Sequence, residues 1–187
     1  MEREKNVKRK ASKGLALLTA TAVAAVTVLG TGTPAAQAAE AEYEIYPKPH
    51  EISYEEVSWI LKNEVNVVYE DGIDEATQDR LDEVFALKDG ITVSESDEIV
   101  EGKTNVLVGI DGSDGYVDQY AEANVEVSTE GLFDELDSYV LDSKEDVITV
   151  LGADTDASFY GLTTLYHIVK QMDSQTIRSF HIEDWAD

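Results

Sequence analysis

The sequence contains no cysteine, and only three prolines and three histidines occur among its 187 residues. Without cysteine, neither disulfide bonds nor Cys-ligated metal sites can form. None of the histidines stands in the His-Glu-x-x-His spacing of a zinc protease, and the sequence has neither a Gly-x-Ser-x-Gly elbow nor a phosphate-binding loop. Zinc-protease, elbow-type serine hydrolase and P-loop chemistry are therefore excluded.

Basic residues are also scarce, and their distribution is uneven. The chain has 39 Asp and Glu residues against 14 Lys and Arg, and residues 1–39 hold six of the basic but only two of the acidic ones. Residues 40–187 therefore carry eight basic and 37 acidic side chains, a formal net charge of −29. Such a surface repels nucleic acid and anionic membranes. So many carboxylates are typical of an ordinary solvated surface. They are also typical of a salt-adapted protein, in which ions screen the repulsion between the carboxylates.

The first 39 residues differ in kind from the rest. A basic segment precedes the uncharged apolar run LALLTATAVAAVTVLG, and the small residues of TPAAQAAE follow it. This order is typical of a secretory signal peptide, whereas a membrane anchor, the alternative, needs a longer apolar run. We therefore expect a signal peptide over residues 1–39 with cleavage after Ala38 or Ala39, an extracellular location, no membrane association after cleavage, and one domain over residues 40–187.

Hydrophobic patterning over residues 40–187 predicts an α+β domain. Short alternating runs predict strands, and YVLDSKEDVITVLG predicts a hairpin. Two segments predict the main helices: DEATQDRLDEVFAL with Asp74 as N-cap, and DASFYGLTTLYHIV with Asp154 or Thr155 as N-cap. GYVDQYAEAN predicts a short helix. Because strands outnumber helices and hairpins are local, we expect a mostly antiparallel sheet with two main helices packed on one face.

The polar residues indicate no catalytic, cofactor or metal site. His167 lies on an apolar helix, so a packed or rim position is expected for it rather than a ligand role. His181 alternates with apolar residues on the last strand, so it is expected to lie on a face of the sheet. GIDGSDGY resembles a calcium loop but lacks its register and its final glutamate, which favours a turn. Among 37 acids many carboxylate pairs arise by chance, and almost all acids fall at strand ends, turns or polar helix faces. We therefore predict no catalytic residue, no metal and no cofactor.

The second main helix has an unusual distribution of apolar side chains. From Ala157 to Val169 the only side chain that could carry charge near neutral pH is His167. One stripe at helical spacing suits the domain's own sheet: Leu162, Leu165, Ile168, Val169 and Met172. A helix that is apolar around most of its circumference is usually buried on more than one side. We predict an interdomain interface on its remaining surface, unless the first helix and the loops cover that surface. The candidate residues are Phe159, Tyr160, Thr163, Tyr166 and His167.

Four stretches, which together span about residues 43–187, resemble the N-terminal domain of bacterial family 84 glycoside hydrolases. They are YEIYPKPHEISYEE, EVNVVYEDGIDEATQDRLDEVF, YVLDSKEDVITVLGADTDASFYGLTTLYHIV and IRSFHIEDWAD. Members of that family are secreted β-N-acetylglucosaminidases, often named hyaluronidases, and a similar domain precedes the barrel of family 20 β-hexosaminidases. The resemblance implies a family 20 domain 2-like fold and, as partner, a catalytic barrel that binds the glycan.

The resemblance transfers no catalytic residue to this sequence. Family 84 enzymes use two adjacent aspartates of the barrel, and the sequence contains no Asp-Asp pair. We therefore expect a non-catalytic domain whose barrel is absent from these 187 residues. An independent secreted carbohydrate-binding module is the alternative, although Trp59 and Trp185 are far apart in the sequence and indicate no aromatic platform. A complete small enzyme is a third hypothesis, for which no site is found.

Salt is expected to stabilise the folded chain. Repulsion among the carboxylates acts against the compact state, and ions screen it over roughly 8–10 Å at physiological ionic strength and over shorter distances in molar salt. The thermal unfolding midpoint should therefore rise between dilute buffer and molar NaCl. An unchanged or lower midpoint would contradict salt adaptation.

Overall fold

The computed structural model describes residues 42–187. The predicted signal peptide over residues 1–39 lies outside these described residues. The strands are β1 Glu51–Ile60, β2 Glu64–Tyr69, β3 Thr92–Glu95, β4 Thr104–Ile110, β5 Tyr139–Lys144, β6 Val147–Gly152 and β7 Thr176–Asp184. The helices are α1 Glu75–Ala86, α2 Tyr116–Asn124 and α3 Thr155–Gln171, with a 3-10 turn over Leu132–Asp134. Within residues 42–187, each helix is too short or too polar to cross a membrane.

All seven strands join one sheet in the order β1-β7-β5-β6-β4-β2-β3. The pairs β1–β7, β7–β5 and β5–β6 are antiparallel, whereas β6–β4, β4–β2 and β2–β3 are parallel. The α+β class and the β5–β6 hairpin are confirmed, but the sheet is evenly mixed, which corrects the expectation of mostly antiparallel pairing. The difference arises because α1 connects β2 to β3 and a longer segment connects β4 to β6, and such crossovers return the chain parallel.

The two main helices pack on one face of the sheet, as predicted. Helix α1 contributes Leu81, Val84 and Phe85 to the core on this face, and α3 contributes its predicted apolar stripe. Four of the five stripe residues are fully buried and Met172 is 7% exposed, so the stripe is confirmed. Helix α2 and the 3-10 turn cover the opposite face of the sheet through a second core cluster. Full burial of each Leu, Ile or Val contributes about 1.5–3 kcal/mol.

Both predicted N-caps are formed, and Asp154 caps α3 rather than Thr155. Asp74 Oδ1 accepts a hydrogen bond from Thr77 N, and Asp154 Oδ1 accepts one from Ala157 N, each at 2.8 Å. Such caps satisfy backbone donors that have no partner within the helix. The Thr155 hydroxyl instead accepts from Asp74 N at 3.1 Å, which joins the beginnings of α1 and α3.

Gly161 lies where α3 crosses the sheet closely. A Cβ atom at this position would lie 2.7 Å from Val150 Cγ1 and 3.1 Å from Tyr139 Cδ2. Glycine in a helix interior costs about 1 kcal/mol relative to alanine. The close approach explains why glycine is nevertheless present, because a larger residue would push the helix away from β5 and β6.

Gly161→Ala is expected to destabilise the domain even though alanine favours a helix. The added methyl group overlaps Val150, and overpacking of this kind costs about 1–3 kcal/mol. Urea denaturation of the variant and of Thr163→Ala, a partly exposed position on the same helix, measures the difference. The control should stay within about 0.5 kcal/mol of the parent. A stability gain in Gly161→Ala would show that the crossing is not tightly packed.

Candidate functional site

An N-terminal arm, residues 42–50, runs beside α3. The Glu44 backbone N–H donates to Gln171 Oε1, and Gln171 Nε2 donates to the Glu44 carbonyl oxygen, both at 2.7 Å. Tyr43 and Ile45 pack against the main core. The arm is therefore fixed both to the end of α3 and to the sheet.

The arm also holds the C-terminal segment, residues 184–187. The His50 ring stacks on Trp185 with ring centroids 4.0 Å apart and planes inclined by 14°. His50 Nδ1 lies 2.9 Å from Asp184 Oδ1, and Nε2 lies 3.1 Å from Asp187 Oδ1. The hydrogen bond with Asp184 raises the pKa of His50, and Asp187 adds to this effect. The imidazole thus connects the two ends of the described chain.

A cleft of about 210 Å³ opens between the arm, α3 and the C-terminal segment. Aromatic rings from all three elements and from β5 line it. The lining residues include Ile45, Tyr46 and Pro47 of the arm, Tyr139 of β5, Tyr160, Thr163, Thr164 and His167 of α3, and Asp184, Trp185 and Ala186 of the C-terminal segment. Aromatic and aliphatic side chains form much of the cleft lining, and the cleft is the candidate functional site.

The structure separates the five candidate interface residues into two groups. Tyr160, Thr163 and His167 line the cleft. Phe159 and Tyr166 lie toward α1, where the Arg80 guanidinium carbon is 4.9 Å and 5.6 Å from their ring centroids. Tyr160 is 46% exposed and the other four are partly exposed, so α1 and the loops leave some of every side chain uncovered. Their role as an interface stays a prediction.

Sequence reasoning missed the cleft residues that lie outside α3. Tyr46, Pro47 and Trp185 were visible in the YPKPH and EDW stretches, but nothing in the spacing indicated that both stretches lie beside the helix. Their proximity depends on the pairing of β1 with β7, which opposes Glu51 to Glu183. Because this pairing joins the first strand to the last, local sequence patterns could not reveal it.

A second cluster of polar side chains lies on the opposite face of the sheet, around the fully buried Glu183. Glu183 Oε1 accepts from Ser128 N at 2.5 Å and Oε2 accepts from Thr129 N at 2.8 Å. His181 Nε2 lies 3.0 Å from Glu183 Oε1, and its Nδ1 lies 3.0 Å from Asp142 Oδ1. Burial opposes ionisation of Glu183, but hydrogen bonds from Ser128, Thr129 and His181 outweigh it and lower its pKa to about 2.

This second cluster holds a loop against the sheet. Burial acts to lower the pKa of His181, but its hydrogen bonds with Asp142 and Glu183 raise it overall. Glu183 therefore fastens the segment after α2 to the sheet, and the expectation that His181 lies on a sheet face is confirmed. Across residues 42–187, no group of three or more His, Asp or Glu side chains is placed to hold a metal ion.

The GIDGSDGY stretch forms a turn, as predicted. The buried Asp118 accepts from Gly112 N at 3.2 Å and from Asp114 N at 2.9 Å, and the nearly buried Glu70 accepts from Ile110 N at 3.1 Å. These carboxylates therefore accept hydrogen bonds from the backbone of the turn.

Comparison with known proteins gives this fold a family. The model of glycosyl hydrolase family 20, domain 2, matches residues 42–185. The chain belongs to this family. No curated protein matches the chain.

Solved structures of glycoside hydrolases are similar to this chain. CpGH84D shares 46% identity with a TM-score of 0.75, and CpGH84B shares 22% with a TM-score of 0.60. An inactive mutant of the GH20 exo β-N-acetylglucosaminidase from Vibrio harveyi shares 14% with a TM-score of 0.52, which shows similarity of fold alone. The predicted resemblance to the family 84 domain is confirmed.

The chain covers only a small part of each of these structures. The matches take in 78%, 76% and 74% of the chain but 24%, 22% and 18% of CpGH84D, CpGH84B and the Vibrio harveyi enzyme, respectively.

Glu183 is expected to make stability depend on acid pH. Its folded pKa of about 2 lies below the ordinary value of 4.5, so its contribution is complete above pH 4.5 and is lost as pH falls toward 2. The free energy of unfolding should therefore fall by roughly 2–3 kcal/mol more in the parent than in Glu183→Gln between pH 5 and pH 2. Glu130→Gln, an exposed position on the same segment, serves as control and should keep the parent's dependence. Equal slopes for the parent and Glu183→Gln would mean that Glu183 is not held as an anion.

Proposed function

We propose that residues 40–187 form a non-catalytic domain of a secreted glycoside hydrolase that acts on N-acetyl-β-glucosaminides, and that the domain packs against a catalytic barrel. The observation that carries this proposal is the match to CpGH84D at 46% identity over 78% of this chain but only 24% of that chain. CpGH84D is about four times as long as the part of it that matches, so it has room for a separate catalytic domain. The substrate class comes from the resemblance of the sequence to family 84 enzymes, which are β-N-acetylglucosaminidases.

The packing surface we propose is the outer side of α3 together with the cleft. Tyr46 is 87% exposed and Tyr160 is 46% exposed, and Leu136, whose carbonyl accepts from Ala186 N, is 70% exposed. Apolar groups gathered in this way on a soluble domain usually mark an interface. The contrast with the rest of the surface, which carries a net charge of −29 over residues 40–187, adds to the case because charged side chains are depleted at interface centres.

A second candidate function is glycan binding by the domain itself. The structure gathers Tyr46, Tyr160 and Trp185 around one cleft, although they are distant in sequence. Aromatic side chains combine large apolar area with polar groups, which suits the mixed surface of a sugar. N-acetylglucosamine binding to the isolated chain would favour this function over packing alone.

A chimera tests the packing proposal. Residues 42–187 replace the matched quarter of CpGH84D, and thermal unfolding is followed by calorimetry. A domain docked through a large apolar interface unfolds together with its neighbour, so a single cooperative transition is expected. Tyr160→Glu with His167→Glu should split the transition in two, because two carboxylates would be buried without partners.

Val57→Glu provides the matched control for this chimera. Val57 is 55% exposed on β1, away from α3, and its replacement should leave one transition. Two transitions in the unmodified chimera would contradict packing on a barrel. The isolated chain should not hydrolyse a chromogenic N-acetyl-β-glucosaminide, and turnover that follows the protein through purification would contradict the non-catalytic role.

A further inference from the structure

We infer that the cleft between the arm and α3 is an anchor socket, which receives one large apolar side chain from the adjoining catalytic domain. The inference rests on the proposed function and specifies where the contact is strongest. Interfaces draw most of their binding energy from a few aromatic or aliphatic anchors seated in well-packed, desolvated depressions. The cleft has the size, the lining and the rigidity of such a depression.

The size of the cleft suits one side chain. Its volume of about 210 Å³ lies below the range of roughly 300–1,000 Å³ that is typical of sites for drug-sized ligands. The rings of Tyr46, Tyr160 and Trp185 surround it, so an inserted ring or branched aliphatic group would meet apolar surface on several sides. Aromatic pairs add about 0.5–1.5 kcal/mol beyond the area that they bury.

Four polar residues of the lining, Tyr139, Thr163, Thr164 and Asp184, already take part in hydrogen bonds, whereas Asp137 and His167 also line the cleft. The Tyr139 hydroxyl lies 2.6 Å from Thr164 Oγ1 and donates to Asp184 Oδ2 at 3.1 Å. Asp184 Oδ1 accepts from His50 N at 3.1 Å, and Thr163 Oγ1 donates to the Phe159 carbonyl at 3.0 Å. A sugar would need to displace these bonds to find partners for its hydroxyl groups, whereas an apolar side chain needs none. These existing bonds favour an apolar occupant, and the sugar arm of the test below decides against a glycan bound through Asp137 or His167.

The walls of the cleft are held in place before anything binds. Gln171 fixes the arm through its two hydrogen bonds to the Glu44 backbone, and the His50 stack fixes Trp185. Helix α3 is itself fixed by its buried stripe. A preformed site avoids most of the entropy lost when loops and side chains become ordered on binding.

The cleft also lies close to the C-terminal end of the described chain. Asp184, the last residue of β7, and Trp185, which follows it, form one wall. In a longer enzyme, residues that follow position 187 would emerge at the rim of this wall. The adjoining domain would then place its surface over the cleft without a long connection.

Thiol protection tests the socket, because the parent chain contains no cysteine. Thr163→Cys introduces one thiol into the cleft, and Val57→Cys introduces one on the edge strand as control. The rate of alkylation is measured by peptide mass spectrometry in the isolated chain and in the CpGH84D chimera. Alkylation at position 163 should slow at least tenfold in the chimera, whereas alkylation at position 57 should not change.

A filling variant provides a second measurement. Thr163→Trp places a large ring in the cleft, and Thr163→Ala keeps it open. In the isolated chain neither should shift the thermal midpoint by more than a few degrees, since the position is partly exposed. In the chimera only Thr163→Trp should separate the two unfolding transitions, because the anchor side chain can no longer enter.

The outcomes separate failure of the socket from failure of the proposed function. Unchanged alkylation at position 163 in a chimera that still unfolds as one unit overturns the socket but leaves domain packing intact. Unchanged alkylation together with two unfolding transitions overturns both. Protection of the thiol in the isolated chain by millimolar N-acetylglucosamine would identify a sugar site and overturn the socket.

Discussion

The close crossing of α3 over β5 and β6 is the constraint on which the rest of the structure depends. Gly161 lets the helix approach Val150 and Tyr139, so that the stripe from Leu162 to Val169 is fully buried. The close packing of α3 on the sheet determines which side of the helix remains uncovered. It also places Thr164 within hydrogen-bonding distance of the Tyr139 hydroxyl, which forms part of the cleft lining. The packing of the core and the geometry of the candidate site therefore have a common origin.

Acidic residues serve two different purposes in this domain. Most lie on the surface, where water and ions solvate them. Three are buried in the described part of the chain, and each accepts hydrogen bonds from backbone N–H groups: Glu70, Asp118 and Glu183. A buried carboxylate is tolerated only when such donors replace water. These three hold the loops around α2 on one face of the sheet, whereas the cleft lies on the side of α3. The loop-holding carboxylates and the proposed packing surface are thus kept apart.

The arm and the C-terminal segment connect the ends of the described chain to the cleft. His50 joins them through a ring stack with Trp185 and through the carboxylates of Asp184 and Asp187. Neither segment belongs to the core, yet each supplies a wall of the cleft. Under the proposed function, a neighbouring domain packed on this cleft would contact both ends of the described chain.

The sequence by itself determined the elements that depend on neighbouring residues. Period-two runs, the apolar stripe of α3, the cap at Asp74 and the choice of Asp154 or Thr155 as cap of α3 were predictable, because each results from interactions within a few residues. The resemblance to the family 84 domain was predictable from four stretches of the sequence, and the comparisons with known proteins confirm it. Only the tertiary structure decided which strands pair in parallel, since crossovers leave no local pattern. It likewise decided the cleft, because Tyr46, Tyr160 and Trp185 meet only through the pairing of the first strand with the last.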